Sequence, residues 1–491
     1  MLEARVLELT GTVHTQADRI RSLTTPKAFF PLSHSWAHAV APLHPPLALG
    51  RAYWEIFLER IDPLVKVVHR PSASRIIRTG LDDPASLNES QSALLQVFYL
   101  ACLSAMDAAD VHSNLDMSKS TALSTYRMAA EQALFRAGFM TTNDWTTMQA
   151  LVLYIAISRF QNNHKPAWNL SALAERLDSS MEDDSSYFGA EMRCRVRWHL
   201  WYLNRRILDD QGQNAKPPND PDIAHAGAET PLNCHDSELC LIMTAPPASR
   251  SCWTAMSFCL LRYDLATTER IIEGDAPWLE KTKAVRECQD RLQSKYLRYC
   301  DGTESIHWLA SHISYVMVTE MWMKLYSPQF TSVELPVASD PTIRDQLFDA
   351  AVDILDIRKR LEDEIAARKW EWTLGGYFQY VPLTFLLNEL CWRRADPRVE
   401  AAWEVAETAF SRWSEDAKRS THGVMLTELM ASAMSARQEA ADLQYMADTF
   451  FLSNQPIFDD FSVDSTYSDA GTMPSDVFQL GLPTEWGIYQ P

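Results

Sequence analysis

Apolar positions recur along most of this chain at spacings of three and four residues, and nowhere alternate for long with a period of two. That pattern predicts helices and no sheet, so the expected fold class is all-α. Helical segments are predicted at 52–61, 92–109, 124–137, 144–160, 167–177 and 191–208. The second is apolar nearly all round and is expected to be buried. In the last, Met192, Val196, His199, Leu203 and Ile207 form an inner stripe, with Arg193 and Arg197 on another face. A loop over 209–236 holds four prolines. Helices are then predicted at 249–272, 277–299, 303–326, 342–368, 373–394, 397–414 and 418–449.

The two ends differ from this body. Over residues 1–23, Leu2, Val6, Leu9, Val13, Gln16, Ile20 and Leu23 follow alternating steps of four and three. Such a stripe fits a short coiled-coil dimerisation helix, with Gln16 as a register-setting polar residue, or one amphipathic helix folded on its own domain. A Pro-, His- and Ser-rich linker follows over 24–46, and the helical body is expected over 47–449. The segment 450–491 has no Lys or Arg and interleaves acids with aromatics. Phe458, Asp459, Asp460, Phe461, Phe478 and Trp486 are its candidate contact residues. It is predicted to be a disordered acidic tail, either an activation segment or a tail with no partner.

Composition sharpens the picture. Only 15 of 491 residues are glycine, which disfavours phosphate-cradling loops; no GxGxxG, GxxxxGK[ST] or GxSxG occurs. With 45 basic against 64 acidic residues the formal charge is −19, so the surface repels phosphate backbones and no direct nucleic-acid contact is expected. Nine cysteines, an odd number without a CxxC pair, read as reduced thiols of an intracellular protein. Apolar runs are too short to span a bilayer, and no membrane partner is expected.

Tyr53 to Phe57, then Pro63 through His69-Arg70-Pro71, form an aromatic segment and an "hPLhxhhHRP" turn similar to those of the fungal-specific transcription factor domain, the middle homology region of binuclear zinc-cluster regulators, and further segments resemble that family in order. Tyr126 to Ala137 resembles its "Y-x-x-A" helix, and Thr147 to Ile155 its "TLQALLLL" segment. Ala167-Trp168 through Leu177 resembles the next helix. Glu191, Arg193, Arg195 and Trp198 fall in a segment similar to "E-x-R-R-R-x-W-W", and Gln379 to Cys391 resembles a "QxxxLxxxLxELC" helix. Asn204 stands where an Asp is usual, and Lys216-Pro217-Pro218 replaces a "GRP" stretch.

The resemblance covers roughly 48–400 and implies a nuclear transcription regulator. It would pair through its first helix as a homo- or heterodimer, contact the transcription machinery or a coactivator through its tail, and admit a small-molecule effector. The family's six-cysteine zinc module does not precede Leu2. No N-cap residue precedes Met1, so either the cluster is lost or the gene model is truncated. No cofactor is expected in this chain; zinc would enter only with an upstream cluster.

The candidate chemistry outside the resemblance is sparse. His307 and His312, five residues apart, lie ~140° apart on a helix and cannot share a metal from one face. His34, His38 and His44 sit in the linker, and Cys234-His235 with Cys240 lacks a fourth ligand. Asp62 with His69, and Glu371 with Tyr380, are conceivable acid–base pairs. An alternative of another class is a cytoplasmic helical enzyme or small-molecule binder of secondary metabolism derived from such a regulator. No catalytic residue is assigned.

Overall fold

A computed structural model describes residues 43–453, except 162, 182–185, 211–228, 302–303, 327–340, 364–368, 375–379, 394–396, 412, 414–417 and 419–420. The predicted heptad at 1–23 lies outside the described residues, and so does the predicted acidic tail of 450–491 except for 450–453, which are not tail but the last residues of a helix. Every regular element among the described residues is helical, and the fold is all-α. The chain divides into two compact units, each considered by itself. The first gathers the described residues of Met1–Asp210, Asn214–Leu260 and Lys369–Gly376; the second those of Gln211–Gln213, Leu261–Arg368 and Tyr377–Pro491.

The first unit is built around α3 (Glu89–Ala105), preceded by α1 (Leu47–Ile56) and α2 (Arg70–Asp82). Around it follow α4 (Ala108–Leu115), α5 (Lys119–Arg136), α6 (Trp145–Phe160), α7 (His164–Ser180) and α8 (Tyr187–Asp210). Helix α3 packs against both α5 and α6, and all of its residues from Ala93 to Ala105 are buried, as a helix apolar on every face must be. Its start is fixed locally: Asn88 accepts from the Gln91 amide, and the Gln91 side chain accepts from the Asn88 amide. Asp144 caps α6 with a single bond, accepting from the Thr147 amide. After α5 the chain turns through Gly138, at φ 63° in the left-handed region, where a glycine carries no steric cost.

Three local departures from the sequence pattern have physical causes. Helix α1 does not end at Ile56 but widens into a π turn over Phe57–Ile61, closed by the Asp62 amide donating to the Phe57 carbonyl at 2.8 Å. Helix α2 was invisible to periodicity because only Ala73, Ile77 and Gly80 face inward, among arginines and serines; Pro71 in its first turn supports the start. The helix predicted from 249 begins only at Ser257, as α9 (Ser257–Glu273). The Thr254 amide donates to Ser257 Oγ and the Met256 amide to Thr254 Oγ1, so hydroxyls take the amides an earlier helix would need. The division between the units falls within α9, after Leu260.

The second unit contains α10 (Trp278–Lys295), α11 (Ser305–Tyr326), α12 (Pro341–Asp363), α14 (Tyr380–Trp392), α15 (Val399–Ser411) and α16 (Thr421–Ser453); the short α13 (Glu371–Leu374) belongs to the first. Helix α14 is its centre, packed on α11, α12, α15 and α16. Arg393 lies 4.5 Å from the Phe348 ring centroid and pairs with Glu389 and Asp345, tying the end of α14 to α12. No helix among the described residues is long and apolar enough to cross a membrane.

Candidate functional site

The turn after α1 and the first half of α8 are joined by six charged side chains, three acids (Asp62, Glu191, Asp236) and three bases (Lys66, Arg70, Arg195). Their origin is local. The π turn delivers Asp62 inward, and Lys66 follows four residues later in an otherwise apolar run, Leu64-Val65-Lys66-Val67-Val68. Lys66 donates to both Asp62 oxygens at 3.0 and 2.8 Å and to Asp236 Oδ2 at 2.6 Å. Both the Lys66 and Asp62 side chains are fully shut off from solvent. On α8, Glu191 and Arg195 are one turn apart on the inner face, and Arg195 Nε donates to Glu191 Oε1 at 2.8 Å.

Asp236 is the common acceptor. It opens a 3-10 turn, Asp236–Glu238, in the segment that returns from the loop after α8. Besides Lys66 it receives Arg195 Nη1 at 2.7 Å and the backbone amide of Arg70 at 2.8 Å. The latter is the first amide of α2, whose own N-cap, His69, supplies no side-chain cap. A carboxylate from 166 residues downstream therefore caps α2 and sits at the favourable end of its dipole. The Arg70 side chain bends back to Asp62 Oδ2 at 2.6 Å and, at 34% exposed, is where this set reaches solvent.

His69 holds the other side of the same segment. Its Nε2 is 2.9 Å from the Asp236 carbonyl oxygen, which can only accept, so Nε2 carries the proton. Nδ1 meets Ser72 Oγ at 2.9 Å, and the ring stands edge-on to Phe188. Asp62 and His69 are therefore not paired with each other. Around them the returning segment is stitched down repeatedly. The Leu232 amide donates to both Glu191 oxygens, and Trp198 Nε1 donates to the Glu229 carbonyl at 3.1 Å. Asn233 donates to the Arg250 and Cys252 carbonyls and accepts from Thr254 and Ser257. The Cys259 thiol donates toward the Pro63 and Leu64 carbonyls.

The electrostatics follow from this closure. Burial alone would raise the Asp236 carboxyl, but Lys66 and Arg195 outweigh it and hold the group well below the usual carboxylate range. Glu191 goes the other way: burial raises it, and Arg195 offsets only part of that. Arg195 is held fully charged, the two carboxylates overcoming the burial that would discharge it. Three positive and three negative groups balance, so the set is neutral as a whole. Replacing such a set by apolar side chains is often neutral for stability, whereas removing one member leaves a buried charge without its counter-ion. Its physical yield is a fixed geometry between the turn, α2, α8 and the returning segment.

The other sequence-singled residues fall around this set or apart from it. Tyr53 and Phe57 are buried against α3, with Phe57 stacked on Trp54 at 5.8 Å. Pro63 and Pro71 flank the turn, and Arg193 lies 5.2 Å from the Trp145 ring centroid. Arg197 Nε donates to Asp178 at 2.6 Å, so this arginine helix spends its charge inside the unit. His307 bonds Asp301, and His312 bonds the Trp308 carbonyl. Tyr380 stacks on His422. Among the described residues no group of three or more His, Cys, Asp or Glu is placed to hold a metal ion. Lys66 and Asp236 were not singled out from sequence. The one available signal was Lys66 itself, a lone cation in an apolar run, which has to find an acid when buried.

Five of the six charged residues, all but Asp236, fall within a stretch that matches a known family model. Residues 54–208 match the family model of the Fungal specific transcription factor domain. Among similar curated proteins, the aurofusarin cluster transcription factor aurR2 of Gibberella zeae is 23% identical over 398 residues, covering 77% of this chain and 58% of the relative. The transcriptional regulator AacuB of Aspergillus aculeatus is 22% identical, over 79% of this chain and 55% of its own length. The transcription factor vrtR2 of Penicillium aethiopicum is 28% identical, over 52% of this chain and 34% of its own length. The chain thus spans less than two thirds of the curated relatives it matches.

Proposed function

We propose that this protein is a transcription regulator that acts in the nucleus through protein partners and controls a biosynthetic gene cluster. The match of residues 54–208 to the Fungal specific transcription factor domain carries this reading. Support comes also from relatives named as cluster transcription factors. In this reading the helical body holds and presents contacts. The ion set around Asp236 fixes its first unit, the heptad at 1–23 pairs subunits, and the acidic-aromatic segment 450–491 contacts the transcription machinery or a coactivator. A net charge of −19 makes the chain itself a poor ligand for a phosphate backbone, so a partner supplies the DNA contact. Zinc enters only with a six-cysteine module.

The test is a reporter assay with the full chain fused to a foreign DNA-binding domain. Activation or repression well above background is expected, lost when residues 454–491 are deleted and strongly reduced by Phe458→Ala with Phe461→Ala. A fusion with no effect on the reporter in either direction overturns the reading.

A further inference from the structure

Helix α16 outruns its support. In its first half Leu426, Met430 and Ala433 are buried, and the helix packs on α14. Arg437 ends that contact, lying 4.9 Å from the Trp403 ring centroid and pairing with Glu400 and Glu407. The helix nevertheless continues to Ser453. On this projecting stretch Leu443, Tyr445 and Met446 are 56%, 73% and 65% exposed. Large apolar side chains gathered at such exposure mark a contact surface.

The face has a definite chemistry. Leu443 and Met446, three residues apart, share one side of the helix. Glu439 precedes Leu443 by one turn and Asp442 precedes Met446 by one turn, so carboxylates border the apolar seam. Asp442 is held by Gln438, whose Nε2 donates to Oδ1 at 2.8 Å. From Gln438 to Pro491 the sequence has nine acids and no Lys or Arg. Covering the seam with the chain's own last segment, or with the same stretch of a second copy, would set carboxylate against carboxylate. Like charges brought together at an interface oppose association. A groove with an apolar floor and a rim of Lys and Arg is the complementary surface.

We propose that Gln438–Ser453 is a docking helix that inserts the Leu443–Met446 seam into an apolar, basic-rimmed groove of a partner protein of the transcription machinery. This rests on the regulator reading above and moves part of the partner-contacting surface from the acidic segment into a formed helix. A helix already formed before binding avoids most of the ordering cost that an unfolded segment carries.

The experiment uses the same full-chain fusion with two double variants. Leu443→Asp with Met446→Asp removes the seam, and Glu439→Lys with Asp442→Lys inverts its border. Each is expected to cut the fusion's effect on the reporter, in whichever direction it acts, about tenfold, the scale of losing an anchor contact, with thermal unfolding unchanged because the residues are exposed. A silent unmodified fusion overturns the regulator reading and this inference together. An active fusion whose signal neither pair alters overturns the docking helix alone. Sedimentation of the full chain supplies the third arm: a dimer dissolved by the seam variant assigns the face to a second copy and overturns the proposal.

Discussion

Arg195 and Asp236 are 41 residues apart in sequence and meet at 2.7 Å between Nη1 and Oδ1, inside the first unit and out of reach of solvent. This contact brings the arginine-rich part of α8 to the segment that also caps α2. One carboxylate therefore sets the relation of two helices and a turn that carry the family resemblance.

Removing that carboxylate should be costly. In Asp236→Asn, Lys66 keeps Asp62 and Arg195 keeps Glu191, but each loses the charge at its shortest contact and the set acquires a net positive charge. Breaking a buried ion pair by deleting one partner costs about 3–5 kcal/mol. Chemical denaturation should show a loss of that size for the first unit. A loss under ~1 kcal/mol, the scale of exposed pairs, would mean that the set is solvated.

The same group gives a pH signature. Asp236 has a depressed folded-state carboxyl, so its contribution is present above the unfolded carboxylate range, about pH 4, and disappears as pH falls from there toward the folded value. Glu191, raised by burial, has the opposite sign: its share is largest in acid and declines as pH rises through its folded value. Stability measured against pH should therefore fall less steeply below pH ~4 in Asp236→Asn than in the parent. Glu191→Gln should remove a decline with rising pH above that range. Superimposable profiles would refute both assignments.

Thiol reactivity should sort by burial. Cys240 is exposed, whereas Cys102, Cys234, Cys259 and Cys288 are buried. Burial pushes the Cys234 and Cys288 thiols up to about 11 and Cys102 well above its ordinary value. Alkylation of the folded protein near neutral pH, read by peptide mass spectrometry, should label Cys240 first and Cys102 only on unfolding. Early labelling of Cys102 would contradict the packing of α3.

Gly80 offers a contest between propensity and space. It lies within α2, where Ala is favoured over Gly by about 1 kcal/mol. A Cβ there would stand 2.6 Å from both Leu87 Cδ1 and Leu95 Cδ2, and Leu95 is fully buried. Overpacking of this kind costs roughly 1–3 kcal/mol. Gly80→Ala should therefore be net destabilising in thermal melts, with Leu95→Ala added to it relieving part of the clash. A more stable Gly80→Ala protein would show that α2 is loosely seated.

Much of the body was legible because its helices carry strong periodic signals. The stripe Met192, Val196, His199, Leu203 and Ile207 is buried as its spacing requires, and α3, with no polar face, lies in the centre. Helix α2 was missed because three inward residues among arginines make almost no stripe. The start at Ser257 was missed because hydroxyl–amide bonds, which have no periodicity, decide it. The ion set was half visible. Glu191 and Arg195 are one helical turn apart and pair as that spacing allows. Asp236, by contrast, joins Lys66 and Arg195 from 170 and 41 residues away. Side-chain spacing along one helix cannot encode a partnership closed by the path of a loop.

The widened turn at Phe57–Ile61 has a consequence for how this region tolerates length changes. A π turn holds one residue more than an α-helix of the same rise, and residues beyond it are rotated by about 100° relative to an uninterrupted helix. Excising a single residue inside the turn would restore regular winding and leave Asp62 in place, its amide still donating to the Phe57 carbonyl, now as an ordinary α-helical bond. Loss of one residue within the turn should thus be tolerated far better than loss of one between Asp62 and Lys66, where the four-residue spacing itself makes the ion pair.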